Sequence, residues 1–301
     1  LVVPASPKIL LAEEDFEPQW VEGMSSVEYH SDLTAVGSSG LRCFVPKSHK
    51  SPKYFYAKTF EGRTEPEKDY YRIGKAVHMA ILERDEFMRR FILAPNFGDL
   101  RSAKNREKKA DFMASMPKWA VVLTEAEMDM IIGIAKSIME HEQGPELIAN
   151  TRSEVIGYWR DPETGILLKC MIDSLGRDLS KMSELKTTKD SSRIMFGNSF
   201  CNYRYDFQLF MYGKGVEAIT GVFPEVISCI AVEKVWPFEV GIYFYERTIH
   251  LQKAEEDYHL ALRKLRWCID NNKWPMRQTR IEGGHIPPWH INETVNEMRQ
   301  E

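Results

Sequence analysis

The sequence predicts an α/β fold, with a central mixed sheet flanked by helices and a helical N-terminal part, and three observations predict it. Apolar residues recur at helical spacing through the first half, strand-like runs crowd together after Asn150, and helical texture returns from about Tyr203. At 301 residues, 43% hydrophobic and 28% charged, the chain has the length and composition of a soluble protein with a substantial core.

Residues 1–24 mix Pro, acidic residues and isolated apolar ones without a period, which predicts an extended arm. Residues 25–270 read as a single domain, with its helical part over 25–150 and its sheet and later helices over 151–270; 271–301 read as a C-terminal tail. Ser38 or Ser39 caps a helix that ends before Pro46, and Ser51-Pro52 opens a second short one. From about Asp69 to Arg90 the positions Ile73, Val77, Ala80 and Ile81 carry one long helical pattern. Thr124 with Glu127 is a capping box that opens a helix to about Glu140. Strands follow at 154–159 and 166–175, joined by the turn-like Asp161-Pro-Glu-Thr-Gly165, and a third short strand runs from Met182 to Thr187. A helix over about 203–220, strands over 226–232 and 240–247, and an amphipathic helix over 253–270 complete the order. There is no internal repeat and no low-complexity segment.

The formal charge of −4 gives no global sign of nucleic-acid binding, although clustered carboxylates and basic residues cancel in such a sum. No apolar run approaches the roughly 20 residues of a membrane span, and no secretory signal opens the chain. The five cysteines are scattered, without a CxxC pair, which fits free thiols in a reducing cytoplasm better than disulfides or a zinc site. A start at Leu1 is what a fragment of a longer protein would show.

The chemistry concentrates in Lys169-Cys-Met-Ile-Asp173 and Ser183-Glu184-Leu185-Lys186-Thr187. Glu184 and Lys186 are two apart on a strand and share a face, while Leu185 turns to the core. If the strand bearing Asp173 pairs alongside, two carboxylates and an ammonium meet at one point. Such carboxylates repel unless a cation lies between them, and oxygen donors suit Mg²⁺ or Mn²⁺. An isolated E-x-K triplet is more often a surface ion pair; its company decides. His78, in Gly74-Lys-Ala-Val-His78, can complete a carboxylate metal site, with Gly74 expected to let its helix pack closely. Gln208 and Tyr212 share a helical face and can hydrogen-bond phosphate oxygens. Glu154, at the start of its strand, either adds to the metal site or caps the strand with solvent-facing charge. Lys189 and Arg193, close after the catalytic strand, are candidate phosphate contacts, as are Arg101, Lys104 and Arg106, which otherwise form a solvated helix face.

Taken in order, Gly74-x-x-x-His78, Glu154, Ile172-Asp173, Glu184-x-Lys186 and Gln208-x-x-x-Tyr212 resemble the RecB-type branch of the PD-(D/E)xK nucleases, which have a restriction-endonuclease-like core. Within that branch the chain resembles the RecE (exonuclease VIII) family, through Tyr29-His30-Ser-Asp, Ser38-Ser39-Gly40-Leu41, Ser51-Pro52-Lys-Tyr54-Phe55 and Glu184-Leu-Lys-Thr-Thr188. The likeness covers roughly residues 25–250. It implies a Mg²⁺-dependent 5′→3′ exonuclease of a prophage recombination system, acting at double-stranded DNA ends. Such an enzyme leaves 3′ tails for a single-strand annealing protein and forms a ring-shaped homo-oligomer. It also implies a metal held by His78, Asp173, Glu184 and the Leu185 backbone carbonyl, Lys186 beside the attacking water, and Gln208 and Tyr212 bracing the site. Ile172 stands where the family pattern often has Pro. The iron–sulfur nucleases of the same branch need four clustered thiolates, which this chain lacks in sequence. A catalytically inactive DNA-binding or scaffold protein is the alternative from another class, and an RecB-type nuclease of different polarity the nearer one.

Overall fold

The computed structural model describes residues 6–46, 48–63 and 69–277. The sequence-predicted tail therefore falls largely outside the described residues. Helices α1 (Ser26–Ser31), α2 (Ser38–Leu41), α3 (Pro52–Phe60), α4 (Asp69–Leu82), α5 (Arg84–Arg90), α6 (Ala103–Ser115), α7 (Glu125–Glu140) and α8 (Gly144–Ile148) make up most of the first half. Strands β1 (Gln19–Val21), β2 (Phe91–Leu93) and β3 (Val121–Leu123) are interspersed among them. The sheet strands β4 (Thr151–Arg160), β5 (Leu167–Gly176), β6 (Lys181–Thr188), β7 (Val226–Glu233) and β8 (Val240–Phe244) follow. They are accompanied by α9 (Arg193–Asn202), α10 (Tyr205–Thr220), α11 (Arg247–His250) and α12 (Gln252–Asn271).

The main sheet runs β1-β4-β5-β6-β7-β8, antiparallel except for the parallel pair β6–β7. Both faces of that pair are covered, so Ile227 to Val232 is buried throughout, its one polar side chain, Ser228, hydrogen-bonded to Ser183. Cys229 and Ala231 pack with α10 and α12, whereas Ile230, Val232 and Leu185 pack with α4 and α7. Helices therefore sandwich a mixed sheet, as the composition of the segments predicts.

Local signals explain most boundaries. Thr124 accepts from the Glu127 N–H while Glu127 accepts from that of Thr124, the predicted capping box. The β4–β5 turn closes because Asp161 Oδ1 accepts from the Thr164 N–H at 2.8 Å and Gly165 supplies φ +72°. Three differences from the sequence reading have physical causes. The arm expected over 1–24 contributes β1, which pairs with β4 as the sheet edge, and Leu10 is buried. The long helix over 69–90 is two helices, because the Leu82 carbonyl accepts the Ser153 hydroxyl at 2.9 Å and Glu83 leaves helical geometry. The helix expected from 203 is preceded by a second one, α9. The two meet at Arg204, which is held left-handed (φ 56°) by ion pairs to Asp206 and to Asp257 on α12.

The sheet and α10 approach closely at Gly215, where an added Cβ would lie 2.7 Å from the Trp159 ring and 3.2 Å from Cys170 Sγ. Gly215→Ala is expected to destabilise the protein by about 1–3 kcal/mol, read as a lower urea midpoint at unchanged m-value. An unchanged midpoint would show that α10 shifts freely on the sheet. No helix among the described residues is long and apolar enough to cross a membrane.

Candidate active site

The site begins where a ladder fails. β5 and β6 pair only at Ser174–Ser183 and Leu175–Met182, and then side chains replace the backbone partners. Asp173 Oδ2 accepts from the Leu185 N–H at 2.8 Å, and Glu184 Oε1 accepts from the Asp173 N–H at 3.3 Å. The fork between the strands is thus bridged by the two carboxylates themselves, both nearly inaccessible to solvent.

Two groups of residues line this fork. On one side, His78 of α4 brings Nδ1 to 3.5 Å from Asp173 Oδ2. Glu154 faces Asp173 across the β4–β5 ladder, between the pairs Ser153–Ser174 and Val155–Ile172. A left-handed backbone (φ 49°) bends the strand there, and Glu154 is its fourth residue rather than its first. One donor atom each from His78, Glu154 and Asp173 lies within 4.8 Å of the others. On the other side, Glu184 Oε2 accepts from Lys186 Nζ at 2.8 Å and from Gln208 Nε2 at 2.9 Å. Glu184 is not a member of the three-residue group, and its oxygens are engaged by Asp173, Lys186 and Gln208. Tyr212, one turn after Gln208, is buried, and burial with the nearby Glu184 charge raises its pKa. Leu185 packs in the layer of α4 and α7.

The electrostatics are those of carboxylates crowded without enough positive charge. Burial, reinforced by Asp173, pushes Glu154 up to about 8 and Glu184 up to about 7. Burial would also raise Asp173, but His78, Lys186 and the Leu185 N–H hold it below the usual carboxylate range. His78 moves up, because the Asp173 charge and hydrogen bond outweigh burial. Lys186 also moves up, since Glu184 and Asp173 outweigh burial. The donor set, one imidazole nitrogen and carboxylate oxygens, fits a hard divalent ion such as Mg²⁺ or Mn²⁺. Ion binding favours the ionised carboxyls of Glu154 and Glu184 and the neutral imidazole of His78, whose pKa values are all raised. Affinity for Mn²⁺ is therefore expected to rise from pH 6 to pH 8, by roughly tenfold per unit for each proton released. Titration calorimetry at several pH values reads this directly, and a flat profile would mean these carboxyls do not face the ion.

Other predicted contacts fall elsewhere. Lys189 and Arg193 are exposed just past the end of β6. Arg101, Lys104 and Arg106 lie exposed at or just before α6, and Arg106 donates to the carbonyls of Leu100 and Arg101. The close packing expected of Gly74 is absent, since an added Cβ would meet nothing within 4 Å among the described residues. Sequence reasoning missed Tyr205, whose ring centroid lies 5.2 Å from Lys186 Nζ. Its spacing of three residues before Gln208 was the available signal.

A family model described as "PDDEXK-like domain of unknown function (DUF3799)" matches residues 38–283. The crystal structure of a "Putative exonuclease" from Eubacterium rectale is similar to this chain at a TM-score of 0.58 and 16% identity, covering 90% of this chain and 98% of that one. No match is found among curated proteins.

Proposed function

Because the chain belongs to the PDDEXK-like family DUF3799, within the PD-(D/E)xK nuclease superfamily, we propose that it is a metal-dependent DNA exonuclease. The observation that carries this reading is the split β5–β6 fork. It gathers Asp173, Glu184 and Lys186 beside His78 and Glu154 where β5 and β6 part. A stable fold has little reason to bury so many carboxylates together unless a cation completes them.

His78, Glu154 and Asp173 would hold the ion, with Glu184 and the Leu185 carbonyl as the further ligands that the RecE likeness implies. When bound, Mg²⁺ supplies Lewis-acid polarisation of a phosphoryl oxygen and acidifies a water. Lys186 keeps its proton at working pH, because its pKa is raised. It therefore orients the attacking water and offsets charge developing on the phosphate, and does not act as a base. Glu184 fixes the ammonium at 2.8 Å, and Gln208 holds the same Glu184 oxygen from α10. Tyr205 lies with its ring centroid 5.2 Å from Lys186 Nζ, and Tyr212 is buried one turn beyond Gln208. Lys189 and Arg193 continue the strand path past β6.

The likeness of the five motifs to the RecE family supports the finer reading. Here the enzyme degrades one strand of linear duplex DNA 5′→3′, leaves 3′ tails for an annealing partner, and works as a ring-shaped homo-oligomer. The test is a time course on linear duplex labelled at either end, with Mg²⁺ or with chelator. Loss of the 5′ label first, survival of the 3′-ended strand and no reaction under chelation are expected. Intact DNA in both Mg²⁺ and Mn²⁺ would leave a DNA-binding protein without catalysis.

A further inference from the structure

Among the described residues, Arg42 is a half-buried guanidinium that no carboxylate meets. Several other half-buried arginines pair with Asp or Glu, Arg72 with Glu127, Arg204 with Asp206 and Asp257, and Arg247 with Glu217 and Glu255, whereas Arg152 and Arg160, like Arg42, show no such pair among the described residues. Among the described residues no carboxylate lies within ion-pair reach of Arg42. Its side chain makes one hydrogen bond among the described residues, donated from Nη1 to the Tyr203 carbonyl at the end of α9. The ionisable groups that most affect it are Tyr212, Tyr205, Cys43 and Arg204, none of them anionic at neutral pH. A cation partly withdrawn from water without a counter-charge is costly, and the guanidinium has further donors in its planar fork.

Its position says what kind of anion it awaits. Tyr205 feels the charge of both Arg42 and Lys186, and Lys186 Nζ lies 5.2 Å from its ring centroid. Tyr203, whose carbonyl Arg42 holds, is 61% exposed and lies 5.7 Å, centroid to centroid, from Tyr205. An anion next to an exposed aromatic face matches a nucleotide, which carries a phosphate and a stacking base together. We propose that Arg42 anchors an internal backbone phosphate of the DNA strand engaged at Lys186, with the neighbouring base against Tyr203. This rests on the nuclease reading above. The structural alternative is that Arg42 only closes the end of α9 through the Tyr203 carbonyl.

Arg42→Gln separates the two, because it removes the charge, and loss of a helix cap alone leaves the salt dependence of DNA binding unchanged. Binding of a short duplex is followed by fluorescence anisotropy across a salt series, with chelator present so that nothing is cut. The variant is expected to bind roughly tenfold more weakly and to lower the log–log salt slope by about 0.9, while Arg42→Lys keeps the slope. The loss should be equal on 5′-phosphorylated and 5′-hydroxyl duplexes. An unchanged slope overturns the proposal and leaves a helix cap; a loss confined to 5′-phosphorylated DNA overturns the internal phosphate. If Arg42→Gln does not fold, Arg42→Met and wild type are compared on duplexes carrying a single methylphosphonate at each position in turn. One position must weaken wild type more than the variant, and no such position counts against Arg42. Failure of wild type to bind DNA at all would instead sink the nuclease reading.

Discussion

Asp173→Asn is expected to lower DNA cleavage by at least about a thousandfold and to weaken Mn²⁺ binding by a similar order, without unfolding the protein. Asp173 is the residue on which both sides of the site converge: it faces Glu154, meets His78 at 3.5 Å, and accepts from the Leu185 N–H at 2.8 Å. The Asn side-chain oxygen can still take that N–H, so the fork between β5 and β6 persists. What disappears is the negative charge that raises His78 and reinforces the rise of Glu154. In the variant both should move back toward their ordinary values, His78 downward and Glu154 downward. Calorimetry with Mn²⁺ and initial cleavage rates measure the two losses, and circular dichroism checks the fold. Cleavage within tenfold of wild type would show that the ion, if any, is held elsewhere.

Lys186→Ala should cost about 10²–10³-fold in the rate of cleavage, with DNA affinity changed only slightly. Its ammonium is fixed by Glu184 Oε2 at 2.8 Å and lies 5.2 Å from the Tyr205 ring centroid, so it is pre-placed before substrate arrives. Deleting it leaves Glu184 with Gln208 and the Asp173 N–H as partners, and the carboxyl of Glu184 should hold its proton more tightly. The pH–rate profile of the residual activity is therefore expected to shift toward higher pH. Single-turnover rates separate this from slower product release. An Ala variant that cuts at the wild-type rate would remove lysine from the mechanism.

Which side chains share a face was more legible than the backbone geometry that brings them together. Period-two alternation put Glu184 and Lys186 on one side of a strand with Leu185 on the other, and Leu185 does pack in the α4–α7 layer. The capping box at Thr124 and the Asp161 turn were equally plain, because each is closed by side chains within three residues. The departure of β5 from β6 was hidden, since it depends on an Asp173 carboxylate capturing an N–H twelve positions later. Nor does any local pattern announce a left-handed Glu154 or Arg204; tertiary ion pairs and the neighbouring strand hold those conformations. Strand β1 has only three residues, too few to show a period, and it exists because β4 offers an edge to cover. Arg42 drew no notice in the sequence, because only the folded structure shows that no described carboxylate reaches it.

Anomalous scattering from a crystal of the protein grown with Mn²⁺ probes the central claim without relying on turnover. The arrangement predicts a manganese peak bonded to His78, Glu154 and Asp173 at the mouth of the split strands, lost in Asp173→Asn. A peak on other residues, or none at saturating Mn²⁺, would contradict a metal-centred nuclease site at this position.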